Sequence, residues 1–214
     1  MTEQELRQEI VAVAQAIDRA GFCPSKSGNV SARFGDGLLI TPSGLPYAQT
    51  NLEDLIHLGL DGTVLGGSRK PSSEWPFHVA IYRARPDAQA IVHTHSPRAT
   101  ALSCTRRGIP AFHYMIALCG GADVRCADYA TFGTPELAEN AVKALERRKA
   151  VLLANHGVIA LGQTLAGAHT IVAEVENLAG QYLDILAAGI EPVILDEAEM
   201  ERVGARFAGY GKVG

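Results

Sequence analysis

The stretch Ala90-Ile91-Val92-His93-Thr94-His95 is an apolar run that ends in two histidines separated by one residue. Such a run predicts a buried β-strand, and residues i and i+2 of a strand point to the same face of the sheet. His93 and His95 therefore share a face, where both imidazoles can bind one metal ion while Thr94 points away. Because a His-x-His pair is more often two ordinary strand histidines, the metal-site interpretation needs a third ligand.

A third histidine follows the next apolar run. Residues 151–154 predict a buried strand, and His156 lies just beyond it in Asn155-His156-Gly157, before another apolar run at 158–161. Three histidines leave the fourth position of a zinc ion free for water or substrate, which is typical of catalytic zinc sites. The alternative is a turn histidine that tolerates an unusual backbone conformation beside glycine.

The rest of the chain mixes strand and helix patterns. Gly35-Asp36-Gly37 separates strands predicted at 29–34 and 38–41, and Asp61-Gly62 turns a second strand pair. Apolar spacing and capping residues predict helices near the N-terminus up to Gly21 and over 75–85, 99–104, 135–148, 165–188 and 197–207. Early hairpins with helices at both ends predict an α/β three-layer α-β-α sandwich, whose central sheet is largely antiparallel and flanked by helices.

Length and composition predict a single domain over residues 1–214. The 47% hydrophobic content supplies an ample core, and no linker or repeat interrupts the chain. The net charge of −4 gives no general attraction to nucleic acid or to an anionic membrane. The four cysteines form no Cys-x-x-Cys pair, and the acidic N-terminus is unlike a secretory signal. We therefore expect a cytoplasmic protein with reduced thiols.

Three loops have the composition of a phosphate-binding site. Residues 25–29 and 41–44 combine hydroxyl side chains with a glycine, which lets backbone N–H groups approach an anion. In Pro71-Ser72-Ser73-Glu74, either serine can cap a helix that begins there and offers free N–H groups. Glu74 is either a favourable first-turn acid or, beside a metal-bound substrate, a group that moves protons between carbon and oxygen.

Five motifs together resemble the class II aldolase/adducin family, in order and spacing, over nearly the whole chain. They are Gly28-Asn29-Val30-Ser31, Leu39-Ile40-Thr41-Pro42-Ser43-Gly44, Pro71-Ser72-Ser73-Glu74, His93-Thr94-His95 and Asn155-His156-Gly157. Within that family, residues 113–117 and 129–134 resemble the bacterial aldolases that act on L-fuculose 1-phosphate.

The resemblance implies one Zn²⁺ per chain on His93, His95 and His156, with Glu74 beside it as the acid/base group. It also implies a phosphate pocket and an aldehyde-facing side chain, formed by Asn29, Ser43, Gly44, Ser72, Ser73 and, on the aldehyde side, Phe132. In such enzymes a C4-symmetric homotetramer places the site between subunits, so that Tyr114 and Tyr210 would come from a neighbouring chain.

The activity implied is the reversible cleavage of L-fuculose 1-phosphate, or a related ketose 1-phosphate, to dihydroxyacetone phosphate and L-lactaldehyde through a metal-stabilised enediolate. In this scheme Tyr114 exchanges a proton with the aldehyde oxygen. A lysine Schiff base is disfavoured, because the five lysines lie in polar loops, on helix surfaces or in the tail.

Three alternatives stay open. A 3-oxo-tetronate 4-phosphate decarboxylase also forms an enediolate, and a pentulose-phosphate 4-epimerase typically has Ser-Ser-Asp where this chain has Ser73-Glu74. A non-enzymatic scaffold like the adducin head is expected to lack a complete ligand set.

Lys26 stands where the family has a small hydroxyl residue, and residues 121–126 also differ locally, so the sugar preference is open. The remaining histidines are interpreted as ordinary surface or packed residues, although His113 could reach the site: His57, His78, His113 and His169.

Overall fold

The structure, a computed structural model, describes residues 1–209. Nine strands form one sheet: β1 (Asn29–Phe34), β2 (Gly37–Ile40), β3 (Ile56–Gly59), β4 (Val64–Gly66), β5 (Ala90–Thr94), β6 (Ile109–Pro110), β7 (Asp123–Ala127), β8 (Ala150–Leu153) and β9 (Gly157–Gly162). Their order across the sheet is β4-β3-β2-β1-β5-β9-β8-β7-β6. Only the β7–β8 pair is parallel among these strands, which confirms the largely antiparallel sheet.

Six α-helices surround the sheet: α1 (Glu3–Arg19), α2 (Trp75–Ala84), α3 (Pro97–Ser103), α4 (Pro135–Ala144), α5 (Leu165–Ala187) and α6 (Glu197–Gly209). Short 3-10 helices span Pro24–Lys26, Tyr47–Gln49, Leu52–Asp54 and Tyr114–Cys119. At the start of α1, Thr2 and Glu5 form a reciprocal capping box. None of the helices described is long and apolar enough to span a bilayer.

The sheet is buried on both faces. Consecutive residues of β5 belong to opposite cores, since Val92 packs with α1 and α5 while Ile91 packs with α2 and α4. In β9, Val158 and Ile159 divide in the same way. Burial on both faces explains why these strands are uninterrupted apolar runs. The three-layer α-β-α prediction is confirmed.

Two local expectations were wrong. The helix predicted over 135–148 ends at Ala144, and the following turn places the non-glycine residue Arg147 at φ 56°. Strand β7 was not predicted, because Asp123 and Arg125 interrupt its apolar residues. These two side chains form an ion pair at the surface. The end of α4 carries no Gly or Pro of the kind that usually marks a boundary.

Strand register places the predicted site residues together. β5 lies between β1 and β9, so that Asn29 is directly opposite His93, and His93 is opposite Ile159 on the other side. The turn between β8 and β9 carries His156 to the same end of the sheet. Residues far apart in sequence therefore meet where β5 ends.

Candidate active site

Three histidines and one glutamate meet at the end of β5. His93 and His95 come from β5 and the residue beyond it, His156 from the β8–β9 turn, and Glu74 from the residue preceding α2. One potential ligand atom from each lies within 4.8 Å of the others. His93 Nε2 is 3.1 Å from His95 Nε2 and 3.2 Å from Glu74 Oε2. The structure thus brings together the predicted metal ligands and the predicted acid/base group.

His93 is oriented by its hydrogen bond to the backbone. Its Nδ1 lies 2.9 Å from the carbonyl oxygen of Val158, and a carbonyl oxygen only accepts, so Nδ1 carries the proton. The lone pair of neutral His93 is therefore on Nε2, which faces Glu74 and His95. Histidines that bind metals usually donate their other N–H to a carbonyl or carboxylate in this way.

The electrostatics of the cluster favour a bound cation. Burial, together with repulsion from His93 and His156, lowers the pKa of His95 to about 3. Burial acts to raise the pKa of Glu74, but its close contacts with His93 and His156 outweigh this effect and hold that pKa well below its ordinary value. At neutral pH the site therefore holds a carboxylate beside a neutral His95, the protonation states that metal binding requires.

One buried oxygen in the cluster lacks a partner. Glu74 Oε1 accepts no hydrogen bond from the described residues, although His156 Nε2 lies 3.0 Å away. A buried polar atom without a partner costs about 1–3 kcal/mol. A divalent ion held by these three imidazoles beside the carboxylate would remove that penalty, and imidazole ligands suit Zn²⁺. The donor set fits the predicted metal.

Two glycines allow the histidines to approach the neighbouring backbone. A Cβ on Gly157 would press into the carbonyl oxygen of Thr94 and lie 3.3 Å from His93 Cε1. Gly28 has φ +92°, and a Cβ there would lie 2.7 Å from the His93 carbonyl oxygen. Side chains at these positions would displace the strand end that carries the ligands.

A cleft of about 320 Å³ opens over the cluster. The polar part of its wall contains all five predicted phosphate-binding residues together with one lysine: Lys26, Asn29, Ser43, Gly44, Ser72 and Ser73. The less polar part contains Tyr129, Ala130 and the predicted Phe132. Polar and apolar side chains therefore line the same cleft as Glu74, His95 and His156.

Backbone hydrogen bonds join two of the polar loops. Ser72 N–H donates to the Thr41 carbonyl oxygen at 3.1 Å, and Ser43 N–H donates to the Lys70 carbonyl oxygen at 3.0 Å. Glu74 N–H in turn donates to Ser72 Oγ at 3.3 Å. The loops at 41–44 and 70–74 thus form one continuous wall, which ends at the acid/base candidate.

Of the two predicted tyrosines, Tyr114 does not line the cleft of its own chain. Tyr114 is 49% exposed, and its ring stacks on His113 and faces Phe207 of α6 with centroids 6.3 Å apart. His113 does not line the cleft of its own chain and instead caps the 3-10 helix, where its Nδ1 accepts from Met115 N–H at 3.2 Å. Tyr210 lies outside the described residues.

Sequence reasoning missed the role of His78. It is fully buried, as its interpretation as a packed residue allows, but its Nε2 bonds to Asn29 Oδ1 and its Nδ1 lies 2.7 Å from Ser31 Oγ. Two periodicities could have indicated which of these residues share a face. Glu74 and His78 are four residues apart at a helix start, and Asn29 and Ser31 are two apart on a strand. Tyr129 and Asn155, which also line the cleft, were not singled out.

Comparison with known proteins defines the class. The sequence profile of the family described as "Class II Aldolase and Adducin N-terminal domain" matches residues 8–183. The chain belongs to the class II aldolase/adducin family, so the predicted resemblance is confirmed. The relatives described next are aldolases, and an aldolase-type lyase is the enzyme class that the family and relatives support.

The relatives differ in the substrates that their names give. The chain is 50% identical to the 5-methylthioribulose-1-phosphate/5-deoxyribulose-1-phosphate aldolase of Rhodospirillum rubrum, over 96% of this chain and 92% of that one. It is 43% identical to the L-fuculose phosphate aldolase of Escherichia coli, over 99% and 98% of the two chains. A solved structure of an L-fuculose 1-phosphate aldolase superposes with a TM-score of 0.93 at 42% identity, covering 97% and 98%.

Proposed function

We propose that the protein is a zinc-dependent aldolase that cleaves a ketose 1-phosphate between C3 and C4. The products are dihydroxyacetone phosphate and a short aldehyde with an apolar end, and L-fuculose 1-phosphate is the first candidate substrate. The observation that carries this proposal is the junction, within one cleft, of a metal-capable Glu/His₃ cluster with a hydroxyl-lined polar wall.

The polar wall suits the phosphate end of such a substrate. Ser43, Ser72 and Ser73 supply hydroxyl groups, and Lys26 supplies the positive charge among the residues lining the cleft. Gly44 has φ +72°, with open space where a side chain would lie, so a phosphate can approach the backbone there. We assign these residues, with Asn29, to the dihydroxyacetone phosphate half.

His93, His95 and His156 would hold the zinc ion. When bound, the ion supplies a Lewis acid that polarises the ketone and stabilises the negative charge left on the substrate after bond cleavage. In the cleavage direction the C4 hydroxyl loses a proton, the C3–C4 bond breaks and C3 gains a proton. We assign the proton exchange at C3 to Glu74, because its carboxylate lies against the histidines and borders the cleft.

We assign the proton exchange at the aldehyde oxygen to Tyr114 of a neighbouring chain. Tyr114 is half-exposed and distant from the cleft of its own chain, so an assembly is needed to bring it to a site. We therefore propose a C4-symmetric homotetramer with sites between subunits, in which Tyr210 also reaches a neighbour. We further propose a cytoplasmic location, where the four cysteines remain thiols.

A second candidate substrate is 5-deoxyribulose 1-phosphate or its 5-methylthio analogue. The 50% identity to the Rhodospirillum rubrum aldolase favours it, as do the side chains of Tyr129, Ala130 and Phe132 along the cleft. Both compounds end in an apolar group and carry no C5 hydroxyl, whereas L-fuculose 1-phosphate has a hydroxyl at C5 before its terminal methyl. Both candidates share the same bond cleavage and the same phosphate-bearing product.

The alternatives have less support. The complete donor set disfavours a scaffold like the adducin head, and Glu74 occupies the position where the epimerases typically have aspartate. A decarboxylase is distinguished by its product, because it releases carbon dioxide rather than an aldehyde.

The test measures the dihydroxyacetone phosphate that zinc-loaded protein releases from L-fuculose 1-phosphate, 5-deoxyribulose 1-phosphate and 5-methylthioribulose 1-phosphate. A coupling enzyme that reduces dihydroxyacetone phosphate reports the release. A chelator-treated sample, and the same sample after zinc is restored, are the controls. Release that the chelator abolishes and zinc restores supports the proposal, and the ratio of kcat/KM values identifies the preferred aldehyde. A protein that holds one zinc per chain and releases no dihydroxyacetone phosphate from any of the three contradicts it.

A further inference from the structure

A continuous chain of buried hydrogen bonds runs from Glu74 into the interior. Asn29 Nδ2 donates to Glu74 Oε2 at 3.0 Å, and Asn29 Oδ1 bonds to His78 Nε2. His78 Nδ1 lies 2.7 Å from Ser31 Oγ, which lies 3.0 Å from Tyr82 Oη. The four residues beyond Glu74 are at most 1% exposed. The chain therefore links the acid/base candidate to groups that water does not reach.

Secondary-structure periodicity aligns the members of this chain. Glu74, His78 and Tyr82 are spaced four residues apart along α2 and its first flanking residue, so they share one face of the helix. Asn29 and Ser31 are two apart on β1 and share one face of the strand. The hydrogen bonds cross between these two faces, which fixes α2 against β1 at the site.

The direction of every hydrogen bond in this buried chain follows from the Glu74 carboxylate, where the chain begins. The carboxylate of Glu74 only accepts, so the Asn29 amide must turn its NH₂ toward it and its oxygen toward His78. That oxygen needs a donor, which places a proton on His78 Nε2. In the neutral imidazole Nδ1 then accepts from the Ser31 hydroxyl, and Ser31 Oγ accepts from the Tyr82 hydroxyl. Each donor points toward Glu74.

The surroundings of His78 agree with the neutral form. Burial, with repulsion from His93, lowers the pKa of His78 to about 3, against a smaller opposing effect of Glu74. The imidazole stacks on Phe77 with ring centroids 4.6 Å apart, which restricts its rotation. A neutral ring in a fixed orientation has one donor and one acceptor, as the chain requires.

We propose that His78 is a positioning residue whose Nε2–H fixes the amide of Asn29, which in turn holds the Glu74 carboxylate against the three histidines. Without this donor the Asn29 amide is free to rotate and present its oxygen to Glu74, which repels the carboxylate from the cluster. The kinetic part of this inference rests on the proposed function, whereas its effect on metal affinity does not.

The first test needs no substitution. Long-range ¹⁵N–¹H correlation spectra at pH 7 report which nitrogen of each histidine carries the proton. The expected result for His78 is a protonated Nε2 and an unprotonated Nδ1. The opposite tautomer, or a doubly protonated ring, overturns the proposal even if every variant fails to fold.

Two substitutions separate the hydrogen bond from the packing of the ring. In His78→Gln the side-chain NH₂ reaches about as far as Nε2 does and keeps a donor for Asn29. In His78→Asn the amide reaches only the position of Nδ1, so the contact with Ser31 is kept and the donor to Asn29 is lost. Both remove the imidazole, and His57→Asn, which removes a histidine of β3 outside the cleft, is the control.

Zinc affinity, measured by competition with a chromogenic chelator, is the readout that does not depend on any substrate. We expect His78→Asn to bind zinc about 10-fold or more weakly than wild type, since residues that orient ligands typically affect affinity by 10–100-fold. His78→Gln should remain within about 3-fold of wild type, which is below that range. Equal zinc affinity in the two variants contradicts the proposal.

The kinetic readout uses the ketose 1-phosphate that wild type cleaves best. Because Glu74 moves a proton and does not hold the phosphate, His78→Asn should lower kcat with little change in KM, and His78→Gln should restore most of it. If wild type cleaves none of the three substrates, the proposed function fails, while the tautomer and the zinc affinities still decide the role of His78.

Discussion

Asn29 and His93 face each other across the ladder between β1 and β5. One side chain of this pair holds the Glu74 carboxylate, with Asn29 Nδ2 3.0 Å from Glu74 Oε2, and the other presents Nε2 to the same oxygen at 3.2 Å. A pair of adjacent strands thus fixes the distance between the acid/base candidate and a proposed metal ligand. Groups held by strands rather than by loops keep such distances with little variation.

Loss of the metal and loss of the acid/base group should have different effects on zinc content and turnover. His95→Ala removes one of three imidazoles, so we expect loss of both zinc and turnover. Glu74→Gln keeps the three imidazoles, so at saturating zinc we expect about one zinc per chain, held more weakly because the carboxylate charge is lost. We expect kcat to fall by about 10²–10⁴-fold, the usual contribution of general acid–base catalysis. Zinc content by mass spectrometry and initial rates check both. Full activity in either variant would exclude the mechanism.

Lys26 should contribute to binding and not to the chemical step. Lys26→Ala removes the one positive charge among the described residues lining the cleft, so we expect KM for the ketose phosphate to rise about 5–10-fold with kcat nearly unchanged. Inorganic phosphate should also become a weaker competitive inhibitor of the variant. The matched variant Lys26→Arg keeps the charge and should stay close to wild type. An unchanged KM in Lys26→Ala would place the ammonium group in solvent.

Gly157 should not tolerate a methyl group. In Gly157→Ala the new Cβ presses on the Thr94 carbonyl oxygen and approaches both His93 and His95, so we expect a lower Tm and weaker zinc binding. Gly204→Ala is the control, because a Cβ there meets nothing within 4 Å and alanine favours the helix α6. Thermal unfolding and chelator competition on both variants check this. A Gly157→Ala protein with wild-type Tm would contradict the close packing.

Acid should destabilise the metal-free protein partly through His78. Its pKa is about 3 in the folded state, against about 6.5 in an unfolded chain, so the unfolded state binds more protons between these values. The free energy of unfolding therefore falls as pH drops below 6.5, with His78 contributing up to about 1.4 kcal/mol per pH unit. His78→Gln lacks this contribution and should lose stability less steeply between pH 6.5 and 5.

Denaturant titrations of the metal-free wild type and of His78→Gln at several pH values measure this difference. Groups that do not interact with His78 titrate equally in both proteins, so the difference between the two slopes reports His78 together with its coupling to His93 and Glu74. Parallel slopes would mean that His78 takes up its proton as readily in the folded protein as in the unfolded chain.

The proposed metal ligands were predictable from sequence because each depends on local pattern. An apolar run gives a strand, the strand period places His93 and His95 on one face, and a second run ends near His156. The phosphate loops were predictable for the same reason, from hydroxyl residues beside Gly28 and Gly44. All of these lie around one cleft in the structure.

The contacts that sequence reasoning missed depend on pairing between distant segments. His78 meets Asn29 because α2 crosses β1, and no one-dimensional pattern states which helix covers which strand. The end of α4 was misjudged because Arg147 adopts a positive φ without a glycine to signal it. The proposed roles of Tyr114 and Tyr210 depend on an assembly of chains, which lies beyond local pattern altogether.

The residues of the metal-capable cluster are far apart in sequence, and this spacing links metal binding to folding. Glu74, His93 and His156 approach one another only after three segments have joined the sheet, so an unfolded chain offers no comparable site. An ion that binds only the folded state shifts the folding equilibrium by mass action. Under the proposed zinc dependence, zinc scarcity should therefore increase proteolytic clearance of the chain as well as lower its activity, which couples abundance to metal supply.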